Sequence, residues 1–384
     1  MNIGINASFL RKPYTGIGQV TTHVLFELAR VASENKSMKN HKFFVYCEEE
    51  CEIDLPKNFH KRSFLPKIYK RDDLLRKFLW ERHCLPSEAH KDGCDVLLSM
   101  YQSATVVNYT DMKHVMVVHD VIPHVFPEYI DNFRKKMYWG AVEKGMYSST
   151  KIISISEHTK KDLVTKLNIK PVKIAVDPIA VDPIFQKEIS DDEIERVLKK
   201  YNLTKGYIYT GGGLEMRKDV DRTLRAYKIL RDKWSEAPDL VLSGKLMPEL
   251  APLIIDVEKI VKDLGISDNV KILGFAQQED LPSLYAGGKL FVFPSRYEGF
   301  GMPVLEAMSV GTPVLTAKNS SLIEVGGDAV AYTESDDEEL CDKMLELLKD
   351  EEQLEKLSQK GKERSKEFSW DKFVGTICDI VCEK

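Results

Sequence analysis

The chain has no apolar run near the roughly 20 residues that a bilayer-crossing helix requires. The expectation is therefore a protein without a membrane-spanning helix. It has no C-x-x-C pair, and its seven cysteines are odd in number. Cys47/Cys51 and Cys378/Cys382 stand four residues apart without histidine companions. That argues against a disulfide framework or a zinc site and for packed, reduced thiols in a cytoplasmic protein. Nor is there an excess of positive charge: 55 Lys and Arg against 60 Asp and Glu leave a net charge of -5. No global field draws such a chain onto nucleic acid. The spacings G-x-x-x-x-G-K-[ST] and G-x-G-x-x-G are missing, which removes two familiar nucleotide-binding turns. There is no period of 20 to 50 residues. Met1 runs straight into the strand-like NIGINASF, without a charged-then-apolar leader.

What is present is alternation. IGINASF, KFFVYC, CDVLLS, HVMVVH, KIISIS and VKIAV read as strands in the first half; GYIYT, DLVLSG, NVKILG, KLFVFP and TPVLTA read as strands in the second. Several are apolar throughout, as parallel strands covered on both faces must be. Helical patterns lie between them, among them VTTHVLFELARVA, VDRTLRAYKILRD and LAPLIIDVEKIVKDLG. This is βαβ alternation, the signature of a doubly wound α/β fold. It breaks once, at DPIAVDPIFQKEISDDE from Asp177. Two Rossmann-like domains follow, residues 1–180 and 181–368. Ligands are expected beyond the carboxyl ends of the strands.

The stretch SRYEGFGMPVLEAMSVGTPV, residues 295 to 314, carries the most chemistry. Proline suits the start of a helix because its missing amide hydrogen would go unpaired there anyway. Gly299 and Gly301 let a ligand approach the backbone before that helix, whose first-turn amides and macrodipole favour an anion. Glu306, close behind, would compete with an anion unless it has another partner. Its two acceptor oxygens suit a pair of sugar hydroxyls. A nucleoside diphosphate offers both groups: phosphates for the amides and ribose for the glutamate. A second cluster, Thr210-Gly-Gly-Gly-Leu-Glu-Met-Arg217-Lys218-Asp219, follows a strand and precedes a helix. Its two cations could clamp a diphosphate by charge-assisted hydrogen bonds.

Three further features are weaker. Tyr14-Thr-Gly16-Ile-Gly18 lies in the first strand-to-helix turn, where glycines permit close approach but also serve plain tight turns. His119 stands at the exit of the strand HVMVV, where a titratable group faces the ligand crevice. Residues 57 to 82, KNFHKRSFLPKIYKRDDLLRKFLWER, interleave basic with apolar side chains. They read as an amphipathic helix with a solvated basic face or as a contact for anionic membrane.

EGFGMPVLE, Glu298 to Glu306, resembles the E-x7-E signature of glycosyltransferase family 4, retaining enzymes of the GT-B fold. The resemblance covers nearly the whole chain. TGGGLEMRKDVDRTLRAY is similar to the family's diphosphate site, with Asp219 where asparagine is usual. HDVIPHVFPEY resembles a histidine-bearing loop of O-antigen-type mannosyltransferases. KIAVDPIAVDPIF resembles the interdomain strand and linker, with Ala180 where glycine is common. The resemblance implies two domains facing across a cleft, with a final helix at about 369–382 returning to the first domain. It implies that Glu306 binds ribose, that Arg217 and Lys218 hold the diphosphate, and that Glu298 with the backbone of Gly299, Phe300, Gly301 and Met302 holds the donor sugar and its phosphate. His119 would touch the donor sugar, and Gly16 and Gly18 would lie under the phosphates.

The expected activity is retaining transfer of a hexose, mannose from GDP-mannose being the leading donor, to a saccharide or lipid-linked saccharide hydroxyl in surface polysaccharide synthesis. No metal or other cofactor is expected, because no Asp-x-Asp lies between the two halves and two cations already face the diphosphate. The expected location is cytoplasmic, with a peripheral contact to the inner membrane face through residues 57–82. A sugar-nucleotide epimerase of the same fold and a non-catalytic partner subunit are the alternatives.

Overall fold

The computed structural model describes residues 1–35, 38–65, 73–334 and 336–383. The chain divides into two compact units: Met1–Ile179 with Ser369–Lys384, and Ala180–Phe368.

The first unit is built on seven parallel strands: β1 (Asn2–Asn6), β2 (Lys42–Cys47), β3 (Phe59–Ser63), β4 (Val96–Ser99), β5 (Lys113–Val118), β6 (Lys151–Ser154) and β7 (Ile174–Val176). Their order is β3-β2-β1-β4-β5-β6-β7. The central strands are buried along their length, as both faces carry helices. One face packs Met116, Val118, Trp139, Val142, Met146 and Ile152 together. The final helix, Trp370–Cys382, lies on the helix Gly16–Glu34: His23 stacks on Trp370 at 5.3 Å and Arg30 pairs with Asp371 at 2.6 Å.

The second unit has six parallel strands: β8 (Tyr207–Thr210), β9 (Leu240–Ser243), β10 (Val270–Gly274), β11 (Gly288–Phe293), β12 (Val314–Ala317) and β13 (Ala331–Thr333). They are ordered β10-β9-β8-β11-β12-β13. Its core joins Ile208, Leu240, Leu242, Leu290 and Val292 to Leu224, Tyr227, Met344 and Leu347 from the covering helices. In each sheet the first strand has its successor in sequence on one side and its third successor on the other, β4 beside β1 and β11 beside β8. These are the switch points at which loops diverge and open a ligand crevice.

Several sequence expectations are corrected. β3 and β13, one edge of each sheet, are additional strands: β3 has no apolar run, and β13 lies in the short run AVAYT, residues 329–333. β3 buries only Phe59 and turns His60, Lys61, Arg62 and Ser63 outward. Residues 57–82 are thus not one amphipathic helix. After β3 comes a helix, Asp73–Leu79, running into a wide turn at Trp80–Cys84; part of the segment lies outside the described residues. Phe59, Arg76 and Trp80 are buried, with Arg76 on Glu48 at 3.0 Å. Phe59 and Trp80 serve the core, whereas Leu75 is 42% exposed. LAPLIIDVEKIVKDLG is α-helical only over Val257–Asp263; residues 251–253 form turns, and Ile254 makes an isolated bridge to Glu215. The helix after β11 begins at Met302, one residue before Pro303.

Candidate active site

In the second unit the charged residues gather at the β8/β11 switch point. Gly211–Gly213 follow β8. Gly212 is glycine because a Cβ there would stand 2.5 Å from Pro303 Cγ, so the two loops touch backbone to ring. A 3-10 turn, Met216–Lys218, then delivers both cations. Asp219 ends it in the left-handed region, φ 58°. Asparagine and aspartate both enter that region readily, so aspartate fits where asparagine is usual.

From β11 comes the loop with Ser295 and Glu298. Arg217 Nη1 lies 2.6 Å from Glu298 Oε1 and donates to Tyr297 O at 3.0 Å. Lys218 Nζ stands 3.6 Å from the same oxygen and 5.2 Å from the centre of the Phe293 ring. Ser295 Oγ donates to that oxygen at 3.0 Å. All four side chains are buried. Burial would raise the Glu298 pKa, but Arg217, Lys218 and Ser295 outweigh it and hold the carboxyl below its ordinary value. Glu298 is a fixed anion.

Glu306 is its opposite. It sits on the second turn of the helix Met302–Val310, and Tyr285 donates to its Oε2 at 2.8 Å. Burial dominates and lifts its pKa to about 7, with Asp182 adding and Tyr285 and Lys218 opposing. The residue before the helix, Gly301, is in the left-handed region, φ 116°, and no side chain caps the helix. Its N-terminal dipole is thus unopposed where an anion would lie. Gly299 and Phe300 are buried, the latter edge-on against Phe368 at 5.8 Å, while Met302 is half-buried.

A third loop, missed from the sequence, sets this geometry. Asn319 Nδ2 donates to Ser295 O at 3.0 Å, and Ser320 Oγ accepts the Glu298 amide at 3.1 Å. Ser321 Oγ donates to the carbonyls of Glu298 and Phe300, each at 2.7 Å. The polar triplet Asn319–Ser321, one residue after the strand TPVLTA, was the available signal. Also missed was an Asp-Val-Asp at 219–221, inside the second half. Asp219 is engaged by Arg222 and Arg296, and Asp221 by Arg225 at 2.8 Å. Among the described residues no group of three or more His, Cys, Asp or Glu is arranged to hold a metal ion.

The remaining candidates lie in the first unit. His119 directly follows β5 and is buried. Its Nε2 lies 2.9 Å from Met100 O, and burial lowers its pKa to about 4. The ring is therefore neutral: Nε2–H donates to the carbonyl, and Nδ1 keeps its lone pair. Gly16 and Gly18 fall inside the first turn of the helix Gly16–Glu34, which Thr15 caps by accepting the Gly18 amide. A Cβ at Gly18 would stand 2.0 Å from Lys12 O, whereas nothing lies within 4 Å of one at Gly16. Packing alone explains Gly18. At the β1/β4 switch point hydroxyls and rings surround a single buried carboxylate, Glu81, which Lys77 approaches at 3.7 Å. Tyr101 OH donates to Glu81 Oε1 at 2.6 Å and receives Asn6 Nδ2 at 3.3 Å. Lys77 Nζ lies 4.8 Å from the Phe9 ring centre and 4.9 Å from that of Tyr101.

Comparison with known proteins agrees with this division. The model for glycosyl transferases group 1 matches residues 191–364, and that for glycosyltransferase family 4 matches residues 21–184. The O-antigen chain mannosyltransferase B of Escherichia coli is 32% identical over 388 residues, 94% of each chain. The chain is a family 4 glycosyltransferase. Mannosylfructose-phosphate synthase of Agrobacterium fabrum is 26% identical over 83% of this glycosyltransferase and 75% of that protein. Among solved structures, WaaG, a glycosyltransferase involved in lipopolysaccharide biosynthesis, superposes with a TM-score of 0.77 at 18% identity, covering 100% of both chains. Anabaena Alr3699/HepE in complex with UDP and glucose gives 0.73 at 16% identity, covering 100% of this chain and 99% of that one. The GT-B fold is thus shared. No described helix is long and apolar enough to cross a membrane.

Proposed function

We propose that this glycosyltransferase moves mannose from GDP-mannose to a hydroxyl of a saccharide or lipid-linked saccharide in surface polysaccharide synthesis, with retention and without a metal. The carrying observation is the convergence of Arg217, Lys218 and an uncapped helix N-terminus beside a buried carboxylate. Negative charge grows on the diphosphate as the anomeric C–O bond breaks, and preorganised cations and amides stabilise that charge. The mannosyltransferases among the relatives support the choice of sugar.

In the proposed reaction the acceptor hydroxyl attacks the anomeric carbon on the face the diphosphate leaves. The new C–O bond forms as the old one breaks, and the acceptor proton passes to a diphosphate oxygen. Glu298, kept anionic by its partners, stabilises positive charge on the sugar ring and fixes its hydroxyls. Glu306 binds the ribose hydroxyls, and His119 offers Nδ1 to a donor-sugar hydroxyl. The backbone of Gly299–Met302 carries the phosphate. The test is incubation of GDP-mannose with a mannoside acceptor in chelator, followed by proton NMR of the first-formed product. An α-mannoside in metal-free buffer is expected. A β-product, or turnover restored only by magnesium or manganese, would contradict the proposal.

A further inference from the structure

Two thiols that the transfer reaction does not use meet at the carboxyl end of β2. Cys47 is the last residue of that strand and is buried; Cys51 is half-buried. Their sulfur atoms stand 2.9 Å apart, roughly 0.9 Å beyond the length of a disulfide bond. Both line a cavity of about 330 Å³ with Ser8, Arg11, Thr22 and Phe26. Cys47, as hydrogen-bond partner, lowers the Cys51 pKa to about 7, with Lys61 adding and burial opposing; the same contact and burial raise that of Cys47. Cys51 is thus the nucleophile of the pair. Burial instead raises the pKa of each of the other five cysteines. The second pair at this spacing is arranged differently: Cys382 turns to Met38 Sδ and His41 Nε2, each at 3.8 Å.

We propose that Cys47 and Cys51 form a redox site that a small neutral hydroperoxide closes reversibly to a disulfide. The Cys51 thiolate attacks one peroxide oxygen. The O–O bond breaks, and the departing hydroxide takes up the proton that Cys51 had shed, giving water and a sulfenic acid. The Cys47 sulfur then attacks the Cys51 sulfur. The S–S bond forms, the S–O bond breaks, and the hydroxyl leaves with the Cys47 proton as a second water. Peroxide is reduced, and the two thiols lose two hydrogens. A dithiol reductant returns them and becomes a disulfide itself. Glu49, Glu50 and Glu52 stand exposed around Cys51 and repel anionic oxidants. The closed loop carries Glu48, on which Arg11 rests at 3.5 Å and Arg76 at 3.0 Å. The proposal does not depend on the transfer reaction.

The reduced full chain would be treated with hydrogen peroxide at neutral pH, alkylated under denaturing conditions and mapped by peptide mass spectrometry. Cys47 is expected to join Cys51 before any other cysteine reacts, and dithiothreitol is expected to reopen the bond. Cys47→Ser is expected to halt at a Cys51 sulfenic acid that dimedone captures. Cys51→Ser is expected to slow oxidation of Cys47 about tenfold or more. Cys378→Ser with Cys382→Ser is expected to close the first pair as the parent does. Glutathione disulfide, an anionic oxidant, is expected to close it several-fold more slowly than peroxide at equal concentration. Four results would overturn the proposal: oxidation that begins at another cysteine, a parent in which Cys51 passes to sulfinic acid while Cys47 stays a thiol, an unchanged rate at Cys47 in Cys51→Ser, or faster closure by glutathione disulfide than by peroxide. The parent map needs no variant, so a misfolded substitution leaves the first two tests standing.

Discussion

The two units are the same sheet put to different uses. Each orders its strands third-second-first-fourth-fifth-sixth, and each opens a switch point between its first and fourth strands. At the second unit's switch point the side chains are Arg217, Lys218 and Glu298, buried and in mutual contact. At the first unit's, Asn6 and Ser8 meet the Tyr101 hydroxyl, which donates to Glu81, and one cation, Lys77, lies over aromatic rings 3.7 Å from that carboxylate. Identical topology therefore does not set the chemistry of the crevice; the loops leaving each strand do. A crevice of fixed charge suits a leaving group that becomes more negative. Hydroxyls and rings around a carboxylate that is already paired suit neutral polyols.

The largest test of that contrast removes a cation. Arg217→Ala or Lys218→Ala is expected to weaken nucleoside diphosphate binding at least tenfold by calorimetry, since a hydrogen bond to a charged group contributes roughly 1.5–3 kcal/mol. Arg217→Ala also takes the nearest cation from Glu298 and leaves it Lys218 and Ser295, a change whose cost is expected below the about 3–5 kcal/mol of a buried charge left with no partner. Adding Glu298→Gln is expected to restore much of the stability and none of the affinity. Parallel recovery of both would mean that the cluster is a structural ion pair.

Next in size is Glu298→Gln alone. It is expected to lower kcat about a hundredfold, in the range of losing one preorganised electrostatic group. Diphosphate affinity should stay within about threefold, because the cations remain. An equal fall in both would assign Glu298 to holding Arg217 and Lys218 in place.

Glu306→Gln sharpens the contrast between the two glutamates. An unfolded glutamate loses its proton near 4.5, whereas Glu306 in the fold keeps it to about 7. The folded state binds more protons over that interval, so its stability falls as pH rises through it. The variant lacks this loss. It is expected to exceed the parent by up to roughly 3 kcal/mol at pH 8 and to match it near pH 4. Nucleotide affinity should drop about tenfold at pH 8. Thermal melts of the ligand-free proteins at both pH values read the first effect, and titration with GDP reads the second.

The smallest test lies in the first unit. Gly18→Ala is expected to destabilise by roughly 1–3 kcal/mol, because the new methyl meets the Lys12 carbonyl. Gly16→Ala is expected to be neutral, or stabilising by about 0.4–1 kcal/mol. If Gly16 lies under the phosphates, Gly16→Ala lowers kcat/KM without lowering the melting temperature. Unchanged kinetics would make that turn purely structural.

Much of this was legible in the residues. Buried parallel strands must be apolar on both faces, so eleven of them stood out as runs. The edge strand β3 buries one residue and has no such run, and β13 has only the short AVAYT. Glu298, Glu306, Arg217 and Lys218 could be singled out because each lies next to a strand-to-helix turn, where local sequence dictates local geometry. Their division of labour was not legible. Arg217 read as a cation facing a diphosphate and is also buried on Glu298, and the polar Asn319–Ser321 triplet marked a loop without showing that it grips the Glu298 backbone.

The sequence by itself determined the βα alternation, the break after β7, the glycines of the Gly211–Gly213 turn and the E-x7-E spacing that puts one glutamate before a helix and the other within it. These follow from periodicity and backbone sterics over a few residues. Tertiary structure alone decided which glutamate is charged. Glu298 is anionic because β8 and β11 are neighbours in the sheet, which brings Arg217 and Lys218 across some 80 residues of chain to a buried carboxylate. Glu306 stands eight residues further on, has Tyr285 as its hydrogen-bond donor, and holds its proton to about pH 7. Burial raises the energy of any carboxylate, and only the fold decides which one receives the cations that offset it.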